Sequence, residues 1–186
     1  MSEAMINLLI TALGDTLIMV FASALFGCLL GLPLGVALHV TKAGQILANP
    51  LLNRTLGMVV NVGRSVPFII LLVARLVEGA LMEVPDGLLE AAKAMGAKPL
   101  QIIAKVLLPE ALPGILNSII ITLVTLVNYS AMAGAIGGGG LGDVGIRYGY
   151  QRFDPTVMLV TVVILVVLVQ LIQSAGERLV KQCDHR

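Results

Sequence analysis

Charge is what this chain has least of. Asp, Glu, Lys and Arg make up 12% of its 186 residues, about half the share of a soluble domain. Hydrophobic residues make up 58%, and mean hydropathy is +0.98. These values exclude a soluble globule and point to a polytopic membrane protein. A net charge of +1 gives no basic surface for nucleic acid. The two cysteines, Cys28 and Cys183, have neither metal-ligand nor redox spacing. Residues 1–15 hold no Lys or Arg, so the basic n-region of a cleavable signal peptide is missing and the first apolar run reads as a retained span. Eight glycines crowd residues 134–149, yet no Gly-Lys-Ser/Thr follows them, which argues against a phosphate loop. With no metal cluster, no nucleotide site and no nucleophile–base pair, the chain reads as neither an enzyme nor the holder of a cofactor. Its work must come from a partner.

What remains is apolar runs broken by polar loops, and the fold expected is an all-α, polytopic membrane helical bundle. We read residues 1–186 as one transmembrane domain with spans at about 16–38, 55–73, 114–136 and 156–175, each near the ~20 residues a bilayer needs. Met5–Leu13 is read as a separate interfacial stretch. Gly27, Gly31 and Gly35 recur every four residues and mark a face where another helix backbone packs closely. Pro33 is expected to bend that helix. Arg64 interrupts the second run and is read as snorkelling to the interface from near the span's end. The third span is the most polar. Thr122, Thr125, Tyr129 and Met132 share one helical face, with Ser130 nearby. Such a face points into a bundle or a pathway, and both readings stay open. The glycine-rich stretch after it reads as irregular backbone packed beside that pathway.

The chain is organised around a polar island, Glu90–Pro109. Pro85-Asp86 starts a short helix there with Asp86 as N-cap, and Gly96 stops it in the left-handed conformation. Pro99 opens a second short helix, which Pro109 ends. Leu88, Ala92 and Met95 are placed on one apolar face, continued by Ile102, Ile103 and Val106, while Lys93, Lys98 and Lys105 stay wet.

Glu90-Ala91-Ala92, three residues, Gly96, nine residues, Val106, one residue, Leu108-Pro109 resembles the motif of permease subunits of bacterial ABC importers, with Val106 in place of Ile. Further stretches resemble the methionine-importer permease nearly end to end: Arg64–Leu72, Leu107–Gly114, and Tyr129–Gly142 with Tyr148-Gly149-Tyr150. The resemblance implies that Glu90, Ala91, Ala92 and Gly96 form a cytoplasmic coupling helix seated on an ATPase. It also implies that Met132 and its neighbours Thr125, Tyr129 and Ser130 line or gate a central pathway. The implied partners are a second copy of the permease in a homodimer, two ATP-binding ABC subunits, an extracytoplasmic methionine-binding lipoprotein and membrane lipid, with no nucleic acid. The implied function is ATP-driven inward transport of D- or L-methionine. Rival readings are a permease for another amino acid and a non-transporting membrane subunit that only binds the ATPase.

The resemblance also implies a shortfall. The family has five spans, so one helix with its turns, ~30 residues, is expected to be absent between Val73 and Ala74. Charge bias gives the same conflict. Placing Lys- and Arg-rich loops inside sets the N-terminus outside, and loop 39–54, the coupling segment and the C-terminus in the cytoplasm. A single crossing at 55–73 would then begin and end on the same side. Either a crossing is lost, leaving Val73 and Ala74 far apart in space or the Glu90 segment on the wrong face, or the run is a re-entrant hairpin broken at Ser65-Val66-Pro67.

Overall fold

The computed structural model describes residues 3–42, 44–62 and 68–183. Every regular element among them is a helix: α1 (Glu3–Val40), α2 (Pro50–Val62), α3 (Phe68–Met82), α4 (Asp86–Ala94), α5 (Pro99–Ile102), a π-helical turn (Ile103–Leu107), α6 (Leu108–Glu110), α7 (Leu112–Ala135), α8 (Gly140–Val144), a second π-helical turn (Gly145–Tyr150) and α9 (Pro155–Cys183).

Among the described residues, three stretches are long and apolar enough to cross a membrane: Glu3–Val40, Leu112–Tyr150 and Pro155–Cys183. The expected interfacial stretch Met5–Leu13 is instead the beginning of α1, which also continues through Pro33. Thirty-eight residues extend about 57 Å at the helical rise, so α1 overshoots the ~30 Å hydrocarbon core. The expected span 55–73 is not one helix among the described residues, since α2 ends at Val62 and α3 begins at Phe68. Arg64 and the proposed break at Ser65-Val66-Pro67 lie outside the described residues. The expectation that Val73 and Ala74 lie far apart is corrected. They are consecutive, fully buried residues inside α3, because Phe68–Met82 forms one unbroken apolar helix with no glycine or proline before Gly79.

The chain divides into two compact units. One holds Phe26–Ile119 and the chain from Gly176 onward. Its core joins Val40 at the end of α1, Val73, Val77 and Leu81 of α3, Leu89 and Ala92 of α4, then Ile102, Leu107 and Ile115. The glycine face of α1 performs as the spacing suggested. A Cβ on Gly35 would lie 2.6 Å from the Ala74 carbonyl oxygen and 2.9 Å from Val77 Cβ, and one on Gly31 would lie 2.7 Å from Val73 Cβ. Only glycine permits this approach of α1 to α3.

The other unit holds the chain up to Leu25 together with Ile120–Ala175. Leu9 and Ala12 of α1 pack with Leu141 and Val144 of α8 and Val157 of α9. The glycine-rich stretch is mostly helical, contrary to the irregular backbone expected. Its glycines serve packing: a Cβ on Gly134 would collide with the backbone of Gly142 and Asp143, and one on Gly142 with the backbone of Ala131. Gly137, Gly139 and Gly140 have φ of 83°, 80° and 73°, which turns the chain between α7 and α8. Buried Thr16 Oγ1 accepts the Leu141 N–H at 2.9 Å and satisfies a donor at the start of α8. Asp154 Oδ1 accepts from the Thr156 and Val157 N–H groups and caps α9.

Candidate functional site

The polar island folds into two short helices joined at Gly96. Asp86 is the first residue of α4 rather than its N-cap; the cap position is Pro85, which makes no side-chain bond. Gly96 has φ of +79°, and a Schellman pair closes the helix: the Ala97 N–H donates to Ala92 O and the Gly96 N–H to Lys93 O. Of the expected apolar face Leu88, Ala92 and Met95, only Ala92 turns inward, joined by Leu89. Leu89 and Ala92 are buried, whereas Leu88 is exposed and Met95 is 81% exposed. The reason is that Leu89 and Ala92, three apart, sit over Val40, Leu81 and Ile102 in the core of this unit. Glu90 and Ala91 face outward beside Met95.

The second helix starts at Pro99, where the Lys98 N–H donates to Gln101 Oε1 at 2.9 Å. Pro109 does not end it. Helix continues through Glu110, carried by the π-helical turn Ile103–Leu107 just before. Proline lacks an N–H and its ring crowds the carbonyl four residues back. The wider π turn relieves both conflicts, with the Leu108 N–H reaching Ile103 O. Outside, this element presents Leu100, at 75% exposure, with exposed Lys93 and Lys98 alongside. The island thus offers an apolar, cation-fringed surface on a rigid base.

Residues of the polar face of α7 are placed separately, within the other unit. Thr122 is fully buried, while Tyr129 is exposed and Met132 is 68% exposed. Thr125 Oγ1 donates to Ile121 O at 2.7 Å, and Ser130 Oγ to Val127 O at 3.0 Å. Both hydroxyls therefore bond to the carbonyls of their own helix. Tyr129 and Met132 are exposed and Thr125 is half-buried, while the fourth member of the face, Thr122, points into the unit.

One cluster has no counterpart in the sequence reading. Glu78 of α3 is buried, and its carboxylate meets Lys42 Nζ at 2.8 Å and Arg75 Nη1 at 2.8 Å. Lys42 Nζ also lies 3.4 Å from Met82 Sδ. Burial pushes the Glu78 carboxyl up, but the hydrogen bonds and charges of Lys42 and Arg75 outweigh it and hold the group below the usual carboxylate range. The end of α1 is fixed beside it: Asn53 Nδ2 donates to Leu38 O at 2.7 Å and to Thr41 Oγ1 at 3.0 Å. The only local signal was the Arg75/Glu78 spacing of three residues; the partner across the fold, Lys42, carries no sequence mark. Among the described residues no three His, Cys, Asp or Glu side chains gather as a metal site would require.

A probable D-methionine transport system permease protein, MetI, of Vibrio cholerae is 56% identical over 211 residues, covering 97% of this chain and 94% of that protein. That alignment length exceeds the matched part of this chain by about 30 residues, positions of the relative with no counterpart here. The D-methionine transport system permease protein MetI of Escherichia coli K12 is 50% identical over 165 residues, covering 72% of this chain and 76% of its own. A structure of the MetNI methionine ABC transporter in an inward-facing conformation matches with a TM-score of 0.93 and 47% identity, covering all of both chains. With the model for the binding-protein-dependent transport system inner membrane component matching residues 65–182, the chain belongs to that family.

Proposed function

We propose that this chain is the permease subunit of an ATP-driven importer for methionine. It would work as a homodimer with two ATPase subunits and receive substrate from an extracytoplasmic binding lipoprotein. The observation that carries the reading is the island itself. Glu90, Ala91, Met95 and Leu100 stand exposed on helices whose other side, Leu89, Ala92 and Ile102, is fixed in a core. A surface that can be pushed as one body is what a coupling helix requires. Movement of the paired ATPases on binding ATP would displace it and rock the spans between inward-open and outward-open states. Thr125, Tyr129, Ser130 and Met132 are the residues we assign to the pathway; uncharged and partly apolar, they suit methionine. The test is uptake of labelled D- and L-methionine by vesicles holding this chain with its ATPase and binding protein. ATP-dependent accumulation is expected. ATP hydrolysis without accumulation of either isomer, or of other amino acids, would favour the non-transporting reading, which the shortfall of about 30 residues against the relative supports.

We further assign three crossings, not four, with the start of α2 and the end of α3 both on the cytoplasmic side. The ion pair of Lys42 with Glu78 supports this, because it puts the chain before α2 and the chain near the end of α3 at one level. Val40 shares a core with Val84, Leu89 and Ala92, so the island lies at the same end of α1. Three crossings leave the N-terminus outside and the island and C-terminus in the cytoplasm, in accord with the charge bias. Single cysteines at 48, 95 and 179, in a chain with Cys28 and Cys183 replaced by serine, are expected to react with a membrane-impermeant maleimide only in inverted vesicles. Labelling of position 95 from the outside would overturn this topology.

A further inference from the structure

The ATPase stroke delivered at the island must reach α1, the longest helix of the chain. Between them stands α3, joined to α4 through the short link 83–85. α1 and α3 touch backbone to backbone at Gly31 and Gly35, a contact that glycine makes close but also smooth. Val73 and Val77 of α3 seat over these glycines, an apolar packing that carries no charge or directional bond of its own. At the end of this seam Glu78, 4% exposed, reaches out of α3 to Lys42, just past the end of α1. A buried carboxylate is costly to desolvate unless paired, and of its two ion-pair partners Arg75 belongs to its own helix. Arg75 pairs with the charge within α3, and Lys42 carries the ion pair across to the segment after α1, adding a polar tie to the apolar seam.

We propose that the Lys42–Glu78 pair is a latch that locks the cytoplasmic end of α1 to the helix bearing the coupling element, so that a push on α4 moves α1 with it. The latch makes Glu78 and Lys42 positioning residues for transport, and it rests on the permease reading above. Lys42 is half-exposed and Glu78 keeps Arg75 when Lys42 is truncated, so Lys42→Met leaves no bare buried charge and is the variant of choice, with Glu78→Gln as the second.

The experiment measures methionine taken up per ATP hydrolysed by the complete complex in vesicles. Lys42→Met and Glu78→Gln are expected to lower that ratio by about tenfold or more, in the range of allosteric couplings, while Arg75→Met stays within about twofold. A general need for charge balance would make Arg75→Met as harmful as Lys42→Met. That result, or an unchanged ratio in Lys42→Met, overturns the latch. A second measurement does not depend on uptake. Spin labels on cysteines at Ala48 and Met95, with Cys28 and Cys183 replaced by serine, are expected to keep one separation with and without ATP in the otherwise native complex, and to separate on ATP binding in Lys42→Met. A native complex that hydrolyses ATP and imports nothing defeats the permease reading alone, and the label distances then decide the latch. Distances that shift with ATP in the native complex as much as in Lys42→Met defeat the latch.

Discussion

Two glycines in the same unit offer a controlled comparison. Gly35 in α1 and Gly79 in α3 are both helical, and neither has a left-handed φ. Adding one methyl group to each tests whether the α1–α3 seam is as tight as it looks. At Gly79 the new Cβ meets nothing within 4 Å. The substitution then gains the helix propensity of alanine, up to about 1 kcal/mol. At Gly35 the same gain is offset by the Cβ lying 2.6 Å from Ala74 O and 2.9 Å from Val77 Cβ. A carbon–oxygen pair at rest stands near 3.4 Å, so one helix must retreat by roughly 0.8 Å or the side of α3 must repack, at about 1–3 kcal/mol and more where backbone is the obstacle. We therefore expect Gly79→Ala to raise the unfolding midpoint and Gly35→Ala to lower it; the propensity gain cancels between them, so they differ by the strain, about 1–3 kcal/mol or more. Thermal unfolding in one detergent, followed by circular dichroism and by labelling of half-buried Cys28, reads both. Shifts of the same sign, or no loss in Gly35→Ala, would refute the close approach on which the seam and the latch depend.

Three other outcomes follow from local geometry. Gly96 has open space around it and φ of +79°, so Gly96→Val meets no clash but costs about 1–2 kcal/mol of backbone strain; the variant should insert yet lose stimulation of its ATPase, and normal ATP-driven uptake would count against the coupling role. Thr16→Val keeps the shape of a fully buried side chain and strands the Leu141 N–H; a loss of about 1–3 kcal/mol in thermal stability is expected, and a neutral result would mean the turn before α8 has another acceptor. A cysteine in place of exposed Met132 should cross-link to its copy in the nucleotide-free homodimer, and silence there, beside a positive control elsewhere on α7, would remove Met132 from the axis.

The sequence by itself was enough for the class of fold, the polar island and the family motif, because each depends on local chemistry. Apolar length decides what can lie in a bilayer, a left-handed Gly96 ends a helix wherever it stands, and glycines spaced by four line one face whatever packs there. It was not enough where partners distant in sequence decide. Which face of α4 is buried depended on Val40, Leu81 and Ile102, and this kept Ala92 inward but replaced Leu88 and Met95 with Leu89. The glycine-rich stretch looked irregular by composition, yet it is helical because backbone contact between Gly134 and Gly142 replaces the side-chain packing that glycine cannot supply. Val73 and Ala74 looked like the edges of a gap by the span count the family resemblance implied. Within the fold they are the buried middle of one helix, held against the α1 seam. The Lys42–Glu78 pair was beyond sequence reading for the same reason: a lysine in a polar loop and a glutamate between apolar residues become partners only once α3 has returned to the end of α1.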